Sequence, residues 1–286
     1  MFRINGIEEQ SIKLDECQSL YFATDIHGQY LLLLKALELL NFKMPQKEHL
    51  SEGGLGDLVG CDHLYLLGDN IDRGDGSVEM LGFARYNPAV KSIRGNHEVL
   101  AFHGNLRKKM AYHHEWMGNG GEWSNGLCRY FLNDLLSWAN NCPDGYEITI
   151  NNTHKVALLH AGIPKGVLGE GEDTVNWQSV KNDYNQFVGK EDYAKWDQVL
   201  QSRSHFKRKD KFVVEGVDAV LHGHKLVKNA PKLLGNRIYM DGGAGLIGED
   251  HALTILEYKP SSKSLLGLFK VHKFGIDPYT GIFDYK

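Results

Sequence analysis

Short apolar runs that stop at polar or glycine-rich turns recur along the chain. Runs of about four to eight residues with such boundaries are typical of buried β-strands. The pattern therefore predicts strands in seven places. These are 19–24, 63–68, 89–95, 155–162, 218–224, 236–243 and 252–258.

Two segments between the first three runs have the period of a helix instead. They cover 28–40 and 76–86, so residues 19–97 are predicted to form a β-α-β-α-β unit. Ligands of such units gather at the carboxyl ends of the strands. After residue 210 strands predominate over helices, which indicates a second sheet packed on the first rather than a separate domain.

Composition and charge narrow the class of protein. The chain has 286 residues, 42% of them hydrophobic and 24% charged, as is usual for a soluble globular protein. The formal net charge of −4 gives no reason to expect a nucleic-acid partner, and an anionic substrate would need a local basic site. The four cysteines form no CxxC pair, the N-terminus does not resemble a secretory leader, and no apolar run approaches the roughly 20 residues of a membrane helix. We therefore expect a cytoplasmic protein without a membrane partner.

No linker divides the sequence, so a single domain over residues 1–286 is predicted. The stretch "SEGGLGDLVG" at 51–60 is expected to be a flexible surface insertion.

Side chains able to bind metal ions follow five of the predicted strands. Asp25 and His27 are two residues apart, and the two-residue period of a strand predicts that they point to one face. Asn96 and His97 are adjacent, so they should point differently and suit two tasks, an oxygen ligand and a proton donor. Each motif alone is more simply a turn acid or a core histidine. Their occurrence together predicts one shared site, formed by Asp25, His27, Asp69, Asp72, Arg73, Asn96, His97, His160, His222 and His224.

The types of ligand select the metal and the chemistry. Carboxylate, imidazole and amide groups without a thiolate favour Mn²⁺, Fe or Zn²⁺ over copper or iron–sulfur centres. Two sets of ligands that can share one aspartate suggest two ions about 3.5–4 Å apart. Such a pair lets a bridging water ionise near neutral pH and attack phosphorus in line. Hydrolysis of a phosphoester is the predicted reaction.

The motifs "DIHG", "GDNIDRG", "RGNHE", "LHAG" and "HGH" occur in the order of the signature blocks of a known family. In these blocks the chain resembles the phosphoprotein phosphatases among the calcineurin-like metallophosphoesterases, especially their small bacterial and phage members. The resemblance runs from about residue 20 to about residue 258 and includes shorter similarities at 119–123, 199–203 and 238–245. It implies an α/β or α+β fold with four αββα layers, in which two mixed β-sheets pack face to face with helices outside.

The resemblance also implies roles for individual residues. The first metal ion would be bound by Asp25 and His27, the second by Asn96, His160 and His224, and both by Asp69. His97 would be the general acid and Asp72 would orient its ring. Arg73 and Arg203 would bind the phosphoryl oxygens. Two divalent cations are implied, with Mn²⁺ as the first expectation and Fe or Zn²⁺ as alternatives.

Several positions leave two interpretations open. Thr24 and Lys225 stand where the family usually has Gly and Thr, and Lys225 is either an extra charge near the metals or a solvated lysine. The basic segment 203–211 either steers an anionic substrate or is a charged turn. Trp116 and Trp123 either form a pocket wall or pack beneath a loop. His222 is predicted to be a neighbour of the site, and Asp75 a turn residue or the N-cap of a helix that begins near Ser77.

The leading functional hypothesis is a metal-dependent phosphomonoesterase that acts on phosphoserine and phosphothreonine in proteins, with phosphotyrosine or small phosphoesters as further substrates. The alternative is a hydrolase of diadenosine tetraphosphate or another nucleoside polyphosphate. Asp72 and Glu98 disfavour that alternative modestly. The polyphosphatase pattern usually lacks an Asp at the position of Asp72, and it has Asp at the position of Glu98. A phosphodiesterase is disfavoured by the two arginines, and an inactive scaffold by the complete set of site residues.

Overall fold

The structure is a computed structural model, and it describes residues 4–45, 61–106, 110–164, 167, 173–190, 193–202, 204–246, 251–258, 268–275 and 283–284. Arg203 and the predicted insertion at 51–60 lie outside the described residues. Within the described ranges no helix combines the length and the apolar character needed to cross a membrane.

The described residues form fourteen strands and eight α-helices. The strands are β1 (Ile7–Ile12), β2 (Leu20–Ala23), β3 (His63–Leu66), β4 (Val90–Ser92), β5 (Gly145–Ile150), β6 (His154–Leu159), β7 (Thr174–Asn176), β8 (Val213–Glu215), β9 (Ala219–His222), β10 (Lys232–Leu234), β11 (Arg237–Tyr239), β12 (Ala252–Tyr258), β13 (Phe269–Gly275) and β14 (Phe283–Asp284). The helices are α1 (Tyr30–Leu39), α2 (Ser77–Tyr86), α3 (Asn96–Asn105), α4 (Met110–Gly118), α5 (Arg129–Asn141), α6 (Trp177–Asn185), α7 (Tyr193–Leu200) and α8 (Ser204–Arg208), with a 3-10 helix at Gly121–Ser124.

The predicted β-α-β-α-β unit is confirmed. Strands β2, β3 and β4 pair in parallel, with Leu20 opposite His63 and Leu64 opposite Val90. Helices α1 and α2 connect them. Helix α2 begins at Ser77 and its N-cap is Gly76. Asp75 is an exposed turn residue, so the first of its two interpretations is confirmed and the N-cap interpretation is wrong.

Two six-stranded mixed sheets form the centre of the fold. Their strand orders are β14-β13-β12-β2-β3-β4 and β1-β5-β6-β9-β11-β10. The prediction of a second sheet is confirmed, but the strands after residue 210 do not all belong to it. Strands β9, β10 and β11 enter the second sheet, whereas β12 pairs antiparallel with β2 and extends the first.

Alternation along the strands creates the four layers. In β2, Leu20 and Phe22 belong to a cluster that also contains Ile148 and Leu158 of the second sheet. The intervening residues of β2 pack with α1 and α2 on the outer face. Residues of β6 and β9 that point away from the first sheet pack instead against a layer that contains α3 and α5. Two sheets between two helical layers confirm the predicted αββα architecture.

Candidate metal centre

The predicted metal ligands and His97 lie at one edge of the two sheets, where several strands end and helix α3 begins. Asp25 and His27 follow β2, Asp69 follows β3, His160 directly follows β6, and His224 lies two residues beyond β9. Asn96 and His97 are the first two residues of α3. All of these side chains are buried, and most of them line one cavity of about 280 Å³. Two sheets and α3 therefore supply a single site.

The loops turn sharply at this edge. Asp25, His27, Asp69, Asp72, Arg73 and His224 have φ angles of 50°, 49°, 52°, 73°, 69° and 60°. Such left-handed conformations are strained for non-glycine residues and concentrate at functional sites. Strand β2 ends at Ala23, so the strand periodicity used to align Asp25 with His27 does not apply. The loop conformation brings both residues to the cavity.

Glycine permits a close approach of two of these loops. A Cβ atom on Gly95 would lie 2.2 Å from Oδ1 of Asp69, and one on Gly68 would lie 2.5 Å from the backbone nitrogen of Gly95. Gly68 also has a φ of 85°. The glycines before Asp69 and Asn96 therefore let the β3 loop and the start of α3 meet.

Four possible metal-ligand atoms lie close together. They are Oδ1 of Asp69, Oδ1 of Asn96, Nε2 of His160 and Nδ1 of His224. Nδ1 of His160 bonds to the backbone carbonyl of Leu67 at 2.7 Å, which directs Nε2 to Oδ1 of Asn96 at 3.1 Å and Oδ1 of Asp69 at 3.3 Å. Nδ1 of His224 lies 2.8 Å from the same Asn96 oxygen. Carboxylate, amide and imidazole lone pairs directed at one another fit a divalent cation.

A second group of potential ligand atoms lies on the other side of Asp69. Atoms of His27, Asp69 and His97 lie within 4.8 Å of one another, as do those of Asp69, His160 and His224. Nδ1 of His27 bonds to the Ile71 carbonyl at 3.0 Å, so its Nε2 faces Oδ2 of Asp69 at 4.0 Å. Asp69 is common to both groups, which fits a pair of cations that share one carboxylate.

Asp25 lines the same cavity without belonging to either group. Its carboxylate accepts hydrogen bonds from Thr24 Oγ1 at 2.5 Å and from the backbone N–H of His224 at 2.8 Å. Thr24, which departs from the usual family residue, therefore contacts the Asp25 carboxylate.

The cluster favours positive charge at its centre. Burial raises the pKa of Asp25 well above its usual range, and the nearby carboxylate of Asp241 adds to that rise. Burial alone would also raise the pKa of Asp69, but the surrounding histidines, His160 foremost, hold it well below its usual range. Burial opposes protonation of His160, yet the carboxylates of Asp69 and Asp25 raise its pKa to about 10. A divalent cation would supply the positive charge that these acids attract.

His97 and Asp72 form a buried pair beside the ligands. Nδ1 of His97 lies 2.6 Å from Oδ2 of Asp72, and Nε2 faces the cavity 3.9 Å from Oδ2 of Asp69. Burial lowers the pKa of His97, but the carboxylates of Asp69 and Asp72 outweigh burial and raise it. This geometry leaves Nε2 as the ring nitrogen that can meet a substrate.

Trp116 and Trp123 also reach this pair. Their indole N–H groups donate to Oδ1 of Asp72 at 2.9 and 2.7 Å. Trp116 is buried and Trp123 half-buried, and their rings pack edge to face. Neither open interpretation of the tryptophans anticipated these hydrogen bonds.

Cationic side chains border the cavity. Arg73 is exposed, lines the cavity and brings a guanidinium nitrogen to 3.4 Å from Nε2 of His97. Lys225 also lines the cavity, and its Nζ lies 5.5 Å from the centre of the Phe206 ring, so it is not simply a solvated lysine.

His222 is a neighbour of the site, as predicted. It ends β9, bonds to the Ala161 carbonyl and stacks on Tyr239 with the ring centres 4.8 Å apart, outside both groups of potential ligands.

Two residues that support the site were missed as site residues. Glu98 accepts hydrogen bonds from the backbone N–H groups of Asp69, Asn70 and Gly95 at 3.0, 2.8 and 2.7 Å, so it joins the β3 loop to α3. Asp241 is buried and lines the cavity. The rule that selected Asp69, an acid just after an apolar strand, also applies to Asp241 at the end of "NRIYMD".

Two mixed sheets between helices, with buried carboxylate, imidazole and amide groups at the strand ends that could bind metal ions, are the features of a metallophosphoesterase. The chain belongs to the family described as calcineurin-like phosphoesterase, whose model matches residues 19–228. It is therefore a hydrolase of phosphoesters of the dinuclear-metal type, as the sequence predicted.

Individual relatives agree with this assignment. The chain is 27% identical to serine/threonine-protein phosphatase 2 of Escherichia coli (strain K12) over 82% of its own length and 92% of the relative's. It is 26% identical to the symmetrical bis(5'-nucleosyl)-tetraphosphatase of Shewanella sp. (strain ANA-3), over 50% of this chain and 44% of that one. A solved serine/threonine phosphatase from Saccharomyces cerevisiae superposes with a TM-score of 0.59 at 15% identity, covering 98% of this chain and 87% of the other, which supports the fold.

Proposed function

We propose that this phosphoesterase is a phosphomonoesterase that removes phosphate from phosphoserine and phosphothreonine in proteins, with phosphotyrosine as a further substrate. The observation that carries the proposal is the buried His97–Asp72 pair, which faces the same cavity as the ligand groups around Asp69. A proton donor is needed where a poor leaving group, such as the serine alkoxide, departs.

The ligands divide between two cations in this proposal. Asp25 and His27 would hold the first, Asn96, His160 and His224 would hold the second, and Asp69 would contribute to both. We propose Mn²⁺ as the metal because carboxylate and amide oxygens suit it, with Fe or Zn²⁺ as the alternatives that the imidazoles also suit. Bound cations would activate a water near neutral pH and stabilise negative charge on the phosphoryl group.

The remaining residues handle the proton and the phosphate. His97 donates a proton from Nε2 to the leaving oxygen, while Asp72 holds Nδ1 and stabilises the protonated ring. Arg73, whose guanidinium lies beside Nε2 of His97, binds the phosphoryl oxygens through its planar fork. Arg203 has the same proposed role and lies outside the described residues.

Nucleoside polyphosphate hydrolysis is the second candidate, because symmetrical tetraphosphatases are among the relatives. The first candidate is favoured by coverage, since the match to a protein phosphatase spans 92% of that relative and the match to a tetraphosphatase spans 44%. Presence of Asp72 and Glu98 supports the same choice. A single domain over 1–286 and a cytoplasmic location stay predictions.

Initial rates on four substrates with one Mn²⁺-loaded sample test the proposal. The substrates are a phosphoserine peptide, a phosphotyrosine peptide, a dinucleoside tetraphosphate and a phosphodiester. We expect the phosphoserine peptide to have the highest kcat/KM. A preference for the tetraphosphate would replace the first candidate with the second, and activity on none of the four would favour an inactive scaffold.

A further inference from the structure

Two indoles from one short segment converge on a single oxygen of Asp72. Trp116 and Trp123 donate to Oδ1, whereas His97 bonds to Oδ2. Asp72 has no exposed surface, and Trp116 is 1% exposed. The two oxygens of the carboxylate are therefore used separately, one for the tryptophans and one for the histidine.

The backbone between the tryptophans packs on the turn that carries Asp72. The carbonyl of Gly120 accepts a hydrogen bond from the backbone N–H of Arg73 at 3.2 Å. A Cβ atom on Gly120 would lie 2.4 Å from that nitrogen, and the φ of Gly120 is 97°. The segment 116–123 thus contacts both the partner of His97 and the backbone of Arg73.

Donors on Oδ1 limit rotation of the carboxylate. The torsion at the end of an aspartate side chain is broad, so a carboxylate held only by a histidine can turn about its bond. Two N–H groups on one oxygen fix the carboxylate plane and keep Oδ2 directed at Nδ1 of His97. That bond in turn sets the direction of Nε2, from which a proton would leave.

We propose that Trp116 and Trp123 are positioning residues for proton donation, and that they act by orienting Asp72, which orients His97. This inference rests on the general-acid role of His97 in the proposed function. Neither tryptophan needs to touch the substrate in this role.

The role predicts a dependence on the leaving group. A serine alkoxide needs protonation as it leaves, whereas p-nitrophenolate is stable without it. We expect Trp123→Phe, which keeps an aromatic ring but removes the N–H, to lower kcat on a phosphoserine peptide ~10-fold. On p-nitrophenyl phosphate kcat should change less than ~2-fold, since little proton donation is needed there. KM and bound metal should stay close to those of the unchanged enzyme.

A matched control separates positioning from general loss of packing. The indole of Trp177 donates to Oε2 of the buried Glu147 at 2.7 Å, outside the site cavity. Trp177→Phe removes the same kind of bond and should leave the ratio of the two rates unchanged. Trp116→Phe should resemble Trp123→Phe, and because Trp116 is more buried, Trp123 provides the test if the Trp116 variant fails to fold.

A double-variant cycle gives the decisive result. In a His97→Asn background, Trp123→Phe should have no further effect, because the orientation of an absent ring cannot matter. Equal losses on both substrates, or additive losses in the cycle, would overturn the positioning role. If His97→Asn itself showed no dependence on the leaving group, the proposed general acid would be wrong instead, so the two failures are distinguishable.

Discussion

Two buried acids in this protein differ in how their charge is balanced. Asp144 accepts a hydrogen bond from Nε of Arg94 at 2.7 Å, and its second oxygen accepts the backbone N–H groups of Asn5 and Gly6 at 2.7 and 2.9 Å. Arg94 and Asp144 have no exposed surface. The chain itself therefore supplies the positive charge that this carboxylate requires.

Asp69 is buried to nearly the same extent but has different neighbours. Its contacts include His27, His97 and His160. Burial raises the pKa of the neighbouring Asp25, and the charge of Asp69 adds to that rise. Imidazoles can either bind a proton or offer a lone pair to a metal. Burial and charge alone thus do not mark a functional site. The chemical type of the neighbouring groups distinguishes the two acids. An arginine balances the charge of Asp144 in a structural ion pair, whereas the imidazoles beside Asp69 allow a cation to complete a metal centre.

The largest expected effect is at Asp69. Asp69→Asn should lower kcat/KM ~10³-fold or more, because in the proposed function its carboxylate is the ligand that both cations would share. Metal analysis should show fewer than two ions per chain, and metal-stripped wild type should be equally inactive and regain activity with Mn²⁺. Full activity of either protein in excess chelator would contradict the dinuclear assignment.

His97→Asn should lower kcat by about 10²–10⁴, as expected when a general acid is lost. Bound metal should stay near two per chain, measured on the same sample. If metal were lost together with activity, His97 would be a ligand, as its proximity to His27 and Asp69 allows.

Asp144→Asn should mainly destabilise the fold, by about 3 kcal/mol, because it leaves a buried arginine without its anionic partner. Asp134→Asn is the matched control. It removes the partner of Arg85 in a surface pair at 2.5 Å, where the Asp134 side chain is 60% exposed, and should cost about 0–1 kcal/mol. Denaturant unfolding measures both, and similar losses would show that burial does not control the cost.

Among the buried acids, the smallest effect is expected at Glu147, and it depends on pH. Burial raises the pKa of Glu147, but hydrogen bonds from Lys181, Lys155 and Trp177 outweigh burial and lower it. A lowered pKa in the folded state stabilises the fold above the pKa of the unfolded chain, and this stabilisation is lost as the pH falls through the folded value.

Unfolding free energies should therefore differ by about 1–2 kcal/mol between wild type and Glu147→Gln at neutral pH. The difference should shrink below about pH 4.5, the ordinary pKa of a glutamate. A difference that stayed constant down to pH 3 would mean that packing, not charge, stabilises this position.

Much of the fold could be predicted because buried strands have a strong local pattern. All seven predicted strands exist, and the β-α-β-α-β unit has the predicted order. Strand β1 was not predicted, because its sequence, "IEEQSI", contains two glutamates and lacks an apolar run. The strand lies at an edge of the second sheet, and several of its side chains are exposed. The assignment of β12 to the first sheet could not be predicted, since the pairing of distant strands leaves no local signal.

The sequence by itself determined the chemical content of the site, because carboxylate, imidazole and guanidinium groups at strand ends restrict the possible chemistry to a few kinds. The tertiary structure alone decided how those groups are arranged. Tertiary packing sets the left-handed loop conformations of Asp25 and His27. The two indole donors on Asp72 and the bond from the backbone of Asp69 to Glu98 join residues far apart in the chain. Such contacts leave no pattern in neighbouring positions of the sequence, because they form only when the two sheets and their loops pack together.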